Sequence, residues 1–308
     1  MTGVVEVAAA VIERPDGSFL LAQRPAGKVY AGWWEFPGGK ADAGESLERA
    51  LARELHEELG IDVRTAYPWI TRLHVYEHAT VRLSFFRVVD WAGEPHPREN
   101  QSFIWQRLDA PMAEPMLPAN APVLASLALP LEYAITDAVT LGREFVLSRL
   151  ALRLQDGLKL IQLRDKELAD RIGFAQEIAG LAHRHGAKVL VNGGPDVADG
   201  IHFTAGQMMA LTERPKRGLA AASCHTRVEL ERAMRLGMDF AVLGPVKPTA
   251  SHSGAAPLGW DGFAAIARGA RIPVYAIGGM RREDLPDARR RAAHGVAMIS
   301  GAWSAAGN

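Results

Sequence analysis

The sequence predicts two α/β units in tandem: a mixed α+β/α sandwich over 1–130, then a compact (β/α)8 barrel over 131–308. Three observations predict this. The chain has 308 residues, which suits two domains of roughly 100–200 residues each. Before residue 130, hairpin-like strands surround one long amphipathic helix. From Leu131 on, short apolar strands alternate with helical stretches, as repeated βα units do.

Composition bounds the function. Hydrophobic residues make up 48% of the chain, enough for packed cores. Lys plus Arg and Asp plus Glu balance at 35 each, so no basic excess points to polymeric nucleic acid. A nucleotide needs only a local site. One cysteine, Cys224, allows no internal disulfide and fits a reducing cytoplasm. Glu6 and Glu13 bracket the first apolar run, which reads as a strand and not as a signal peptide. No run of about 18 apolar residues exists, so no membrane span is expected.

In the first domain, Val4 to Ile12 reads as a strand. Pro15-Asp16-Gly17 is a turn signal, and Phe19 to Gln23 is the hairpin partner. A loop carrying Gly27, Lys28 and Gly32 follows Arg24, and Trp33-Trp34-Glu35-Phe36-Pro37-Gly38-Gly39 leads into the helix. Arg72 to Glu77, Val81 to Val89 and Phe103 to Arg107 read as strands. Pro122 to Leu129 reads as a closing helix ended by Pro130.

The central helix runs from Ser46, a good N-cap residue, to Gly60, the favoured residue just past a helix end. Leu47, Leu51 and Leu55 form its apolar stripe. Arg49, Ala52, Arg53 and His56 fall mainly on the far side. Glu54 and Glu58 share the leucine side and Glu57 sits at its edge. Such a run of charges is usually a solvated face. Carboxylates aimed together at the fold repel unless a cation neutralises them, and hard divalent cations take oxygen ligands. The helix therefore reads as a metal–carboxylate platform.

The spacing of this stretch carries a resemblance. Gly39, Glu45, Arg53-Glu54-Leu55, Glu57-Glu58 and Gly60-Ile61 resemble the Nudix box at every defined position. The order EFPGGK, GEP, a later Glu and LPAN resembles the MutT type over most of residues 3–129. The resemblance implies an α/β/α sandwich hydrolysing 8-oxo-dGTP to the monophosphate and pyrophosphate with Mg²⁺, or Mn²⁺ in its place. That activity serves nucleotide-pool sanitation and mutation avoidance in the cytoplasm. By the same resemblance Glu54, Glu57, Glu58 and Glu99 hold metal, and Arg53 orients the carboxylates with Glu45 as partner or outer ligand. Glu54 or Glu99 takes the proton from water. Arg24 lies near the nucleotide with Gly38 and Gly39, Phe36 lies beside the base, and Asn120 reads the base edge. An amide both donates and accepts, as a purine edge requires. Bland readings stand beside these: Asn120 as an N-cap, Glu99 as loop surface, Arg24 as a hairpin end, and Trp33 and Trp34 as core or as a stacking platform.

In the second domain eight strands are expected: Tyr133–Thr136, Leu158–Arg164, Lys188–Asn192, Gly200–Phe203, Gly218–Ser223, Phe240–Gly244, Pro273–Ile277 and Gly295–Ile299. Helical patterns include Arg143–Gln155, Arg171–His185 and Arg227–Leu236. The domain is short for a TIM barrel, so some helices must be reduced. Chemistry in such barrels sits where strands end. Glycines there, Gly278 and Gly279, with Ser300 and Gly301, free backbone N–H groups for a phosphate; a tight turn is the plain alternative.

The pieces QLRDK, VLVNG, GIH, SCHT, LGPVKPT, IGGM and MISGAW resemble the thiamine-phosphate synthase/TenI family over nearly all of 131–308. The synthase branch needs acidic residues for Mg²⁺ after the third and fourth strands. Here Gly193 follows Asn192, and Met208-Met209 follow Gln207. The chain is more similar to the TenI branch. That implies a thiazole tautomerase, with His225 as proton shuttle and a thiazole or thiamine phosphate as ligand, or else a ligand-binding barrel without catalysis. Cys224 should point away from the His225 side. The fusion keeps one alternative open for the first domain, hydrolysis of thiamine diphosphate-like compounds, with Asn120 favouring a nucleobase.

Overall fold

A computed structural model describes residues 4–76, 79–98, 101–193, 198–249 and 256–304. The chain divides into two compact units, Met1–Ala128 and Leu129–Asn308.

The first unit contains β1 (Val5–Ile12), β2 (Phe19–Gln23), β3 (Trp34–Glu35), β4 (Gly38–Lys40), α1 (Leu47–Leu59), β5 (Asp62–Val75), β6 (Thr80–Ala92), β7 (Phe103–Gln106) and α2 (Ala121–Leu127). One mixed sheet has the order β4-β1-β6-β5 and a second has the order β3-β2-β7. β1 runs parallel to β6 and antiparallel to β4. Its alternation builds both cores. Ala8, Ala10 and Ile12 pack with Ala50, Leu51, Leu55 and Leu59 of α1. Ala9 and Val11 pack with Phe19, Phe85 and, from α2, Val123. A helix thus covers each face, giving the α/β/α sandwich.

The helix ends follow their capping chemistry. The Ser46 side chain accepts from the Arg49 N–H, and Gly60 is left-handed at φ 68°. β5 begins at Asp62, well before the expected Arg72. Register shifts between Val63 and Thr65 and between Pro68 and Thr71 break the alternation that marks a strand in sequence. Pro68 is tolerated because β5 lies at the sheet edge.

In the second unit the strands are β8 (Glu132–Ile135), β9 (Leu160–Leu163), β10 (Lys188–Asn192), β11 (Gly200–Phe203), β12 (Leu219–Cys224), β13 (Phe240–Leu243), β14 (Val274–Ala276) and β15 (Gly295–Met298). Among the described residues they close into a parallel barrel. The helices α3 (Ala138–Leu141), α4 (Arg143–Gln155), α5 (Arg171–Arg184), α6 (Ala205–Ala210), α7 (Arg227–Leu236), α8 (Gly259–Ala267), α9 (Leu285–Arg290) and α10 (Ser300–Trp303) vary widely in length. The shortest have four residues, which is the reduction the chain length demands.

Strand alternation separates barrel lumen from helix layer. Tyr133, Leu160, Leu190, Ala221, Phe240, Tyr275 and Ala297 fill the lumen. Tyr133, Phe240 and Tyr275 form an aromatic plug with ring centroids 5.1–5.9 Å apart. Their neighbours Ala134, Ala241 and Ala276 face the helices. So does Cys224, which is buried and whose thiol is pushed up to about 12 by burial.

Candidate active site

The carboxylates of α1 are organised by one guanidinium. Arg53 donates to Glu45 at 2.9 Å, to Glu54 at 2.8 Å and to Glu57 at 3.3 Å, and also to the Lys40 carbonyl at 3.0 Å. Hydrogen bonds from Arg53 and then from the Asp42 N–H hold the Glu45 carboxyl below its usual range. Glu45 and then Glu54 raise the Arg53 value further, so it stays charged. Glu54 is half-buried against Gly39, while Glu57 is exposed. Among the described residues no three acidic, His or Cys side chains form a ready-made metal cluster. The fourth expected carboxylate, Glu99, lies outside the described residues. The donor set nonetheless fits a hard divalent cation, because Glu54, Glu57 and Glu58 offer only carboxylate oxygens from consecutive turns of α1.

The two glycines ahead of α1 serve different needs. Gly38 has φ 142°, and a Cβ there would lie 2.1 Å from the Ala8 carbonyl oxygen. Only glycine lets β4 approach β1 so closely. A Cβ on Gly39 would instead meet the Glu54 carboxyl, at 2.1–2.3 Å. Gly39 is therefore the seat of that carboxylate.

A cavity of about 700 Å³ opens over this corner. It brings together Arg24, Phe36, Gly38, Gly39, Glu54 and Asn120, residues separated by up to 96 positions in sequence. Asn120 is buried at 4% exposure, and its Nδ2 donates weakly to the Trp34 carbonyl at 3.4 Å. It makes no side-chain cap to α2, so capping does not account for it. Phe36 is part of the core, between Phe19 and Phe85, and also lines the cavity. Trp34 packs against the same core. Arg24 is no free hairpin end: its Nη1 donates to both Glu35 oxygens at 2.6 and 2.7 Å.

Sequence reasoning passed over Glu35, Tyr30 and Tyr76, which also line the cavity. Burial pushes the Glu35 carboxyl up against the opposing pull of Arg24. Burial likewise raises Tyr76, helped by the nearby Glu35 charge. The signal available for Glu35 was its place directly before Phe36 in the EFPGGK stretch.

In the second unit, Gly278 and Gly279 have φ 100° and 63°, and Cβ atoms there would approach Pro245 at 2.7 Å and Lys247 at 3.0 Å. Close packing against the Gly244–Lys247 segment requires these glycines. Gly279 and Gly301 line a second cavity of about 830 Å³, and Ser300 opens α10. His225 sits at the barrel mouth with its side chain 43% exposed. Its Nδ1 is 3.3 Å from Glu229, the residue that closes the α7 capping box with Thr226. His202 lies inside the lumen. Its Nδ1 is 3.2 Å from the Tyr133 hydroxyl and its Nε2 is 2.9 Å from Ser223 Oγ. Complete burial lowers it to about 3, so it is neutral. Its sequence signal was the GIH strand end.

Comparison with known proteins matches these two units separately. Residues 8–126 match a family model described as NUDIX domain, and residues 132–302 one described as Thiamine monophosphate synthase. The chain is 40% identical over 121 residues to the CTP pyrophosphohydrolase of Escherichia coli (39% of this chain, 89% of that protein). It is 40% identical over 124 residues to the 8-oxo-dGTP diphosphatase of Haemophilus influenzae (40% of this chain, 91% of that protein). It is 33% identical over 179 residues to the thiamine-phosphate synthase of Chloroflexus aurantiacus (54% of this chain, 82% of that protein).

Proposed function

The chain belongs to the Nudix family over residues 8–126 and to the thiamine monophosphate synthase family over residues 132–302; from that premise we propose that its first unit hydrolyses 8-oxo-dGTP to the monophosphate and pyrophosphate. The observation that carries this reading is the one cavity shared by Asn120 and Glu54. A base-reading amide and a charge-bearing carboxylate open onto the same space. A nucleoside triphosphate has those two ends. Thiamine diphosphate lacks a purine edge for Asn120 to read.

Glu54, Glu57 and Glu58 would hold Mg²⁺ or Mn²⁺, with Glu99 as the carboxylate from outside α1. The ion, when bound, neutralises the phosphates and polarises a phosphoryl oxygen. The chain's own residues do the rest. Arg53 keeps Glu54 and Glu57 in register on α1. Gly39 gives Glu54 room. Glu54 or Glu99 takes the proton from the attacking water, and pyrophosphate leaves. Arg24, tied to Glu35, borders the nucleotide, and Phe36 lies beside the base.

The barrel is proposed to bind a thiazole or thiamine phosphate, with its phosphate near Gly278, Gly279, Ser300 and Gly301. Its acidic synthase positions are replaced after Asn192 and Gln207. Tautomerase chemistry through His225 is the catalytic reading; ligand binding alone is the other, and the Glu229 contact at the α7 cap favours it.

A nucleotide panel tests the hydrolase reading. With Mg²⁺, wild type should release pyrophosphate from 8-oxo-dGTP far faster than from dGTP, CTP or thiamine diphosphate, and Glu57→Gln should abolish release while remaining folded. Equal turnover of 8-oxo-dGTP and dGTP, or preference for CTP or thiamine diphosphate, refutes the assignment.

A further inference from the structure

The end of α1 is held twice. Its own cap comes first: the Gly60 N–H donates to the His56 carbonyl at 3.0 Å, as a left-handed glycine past a helix end does. A second segment, from beyond β6, then returns to the same turn. The His96 N–H donates to the Leu59 carbonyl and the Arg98 N–H to the Glu58 carbonyl, both at 3.0 Å. Arg98 Nη1 donates to the His56 carbonyl at 3.1 Å, a contact spanning 42 positions. Gln101, buried at 6% exposure, reaches the Glu58 carbonyl with Nε2 at 3.5 Å. A Cβ on Gly60 would lie 2.3 Å from the His96 ring, so glycine is what admits this segment.

Arg98 joins these contacts. It grips α1 at the carbonyls of His56 and Glu58, on either side of Glu57. Its Nε also donates to His96 Nε2 at 3.3 Å. A guanidinium only donates, so His96 Nε2 is the acceptor and Nδ1–H donates to the Glu94 carbonyl at 2.9 Å. Stopping the helix does not require this grip, because Gly60 already provides a cap. What the gripped turn carries is Glu57 and Glu58. The Glu57 side chain is 53% exposed, so packing does little to hold it, and Arg53 bonds it from the other flank at 3.3 Å.

We propose that Arg98 is a positioning residue for the metal carboxylates: by gripping the backbone on both sides of Glu57 it fixes the turn from which Glu57 and Glu58 project. The inference rests on the Nudix reading of α1 as the metal-holding helix. Carboxylates set in place beforehand spare a cation the ordering that binding would otherwise demand, and contacts that orient a ligand from outside govern metal affinity. Electrostatics works the other way. A guanidinium repels a cation, weakly here because Arg98 is exposed and screened, so charge alone would make its deletion tighten metal binding. The sign of the effect separates the two.

The test uses the full chain with Mn²⁺ as the probe, titrated by calorimetry without nucleotide, and thermal unfolding alongside. Arg98→Ala should raise the Kd for Mn²⁺ about tenfold and leave thermal unfolding as in wild type. Arg98→Lys should lose nearly as much, because lysine keeps the charge but has no fork to reach both His56 and His96. Unchanged or tighter Mn²⁺ binding in Arg98→Ala, full affinity in Arg98→Lys, or a loss of affinity that comes only with earlier unfolding each overturns the positioning role. A wild-type chain that binds no Mn²⁺ overturns the metal reading of α1 instead, before any variant is compared.

Discussion

Gly39→Ala probes the carboxylate seat with a single added methyl group. Gly39 has no left-handed φ, so alanine carries no φ strain there. The new Cβ would lie 2.1 Å from the Glu54 carboxyl carbon, and ordinary contact begins at 3.4 Å, so the carboxylate must retreat by 3.4 − 2.1, about 1.3 Å. Its 2.8 Å bond from Arg53 must break or drag the guanidinium along. A misplacement of about 1 Å at a reacting centre costs on the order of 100-fold in rate, or about 2.7 kcal/mol of barrier. The obstructing group is the far end of a flexible side chain, so unfolding free energy should change by less than about 1 kcal/mol. The assay is pyrophosphate release with Mg²⁺, paired with thermal unfolding. Gly39→Ala should also cost nothing further in a Glu54→Ala background, since the group it displaces is gone. Full activity in Gly39→Ala, or a loss that persists undiminished without Glu54, would falsify the seat.

Gly38→Ala should behave in the opposite way: its Cβ meets the Ala8 backbone, so the first unit should lose more than about 3 kcal/mol of stability, read by urea denaturation. Asn120→Ala should erode discrimination between 8-oxo-dGTP and dGTP about tenfold, the value of one lost buried hydrogen bond, with kcat on the poorer substrate nearly unchanged. His202 makes barrel stability depend on pH. Its folded value is about 3 against 6.5 for the free side chain, so below pH 6.5 the unfolded chain binds a proton that the folded chain refuses. Stability present above pH 6.5 should fall with a limiting slope of about 1.4 kcal/mol per pH unit as pH drops towards 3. Denaturation curves of His202→Gln should lack that slope.

Local signals were legible where chemistry is local. The α1 boundaries followed from Ser46 and Gly60, and the eight barrel strands from short apolar runs between helical periods. The start of β5 was not legible, because bulges scramble the period-two pattern on which strand recognition depends. Arg53 falls on the far side of a helical projection, yet its long side chain reaches back to Glu54 and to the Lys40 carbonyl. A projection fixes Cα directions, not the reach of a guanidinium.

Sequence alone determined the carboxylate spacing on α1, the paired glycines and the βα repeat. These are matters of residue type and separation along one element. Only the tertiary structure separated Gly38, which β1 requires, from Gly39, which Glu54 requires. It joined Glu35 to Arg24, raised Tyr30 beside Tyr76, and put His202 rather than His225 within the lumen. Those outcomes depend on which backbone passes within a few ångströms of another, and the spacing of residues along a chain carries no record of that approach.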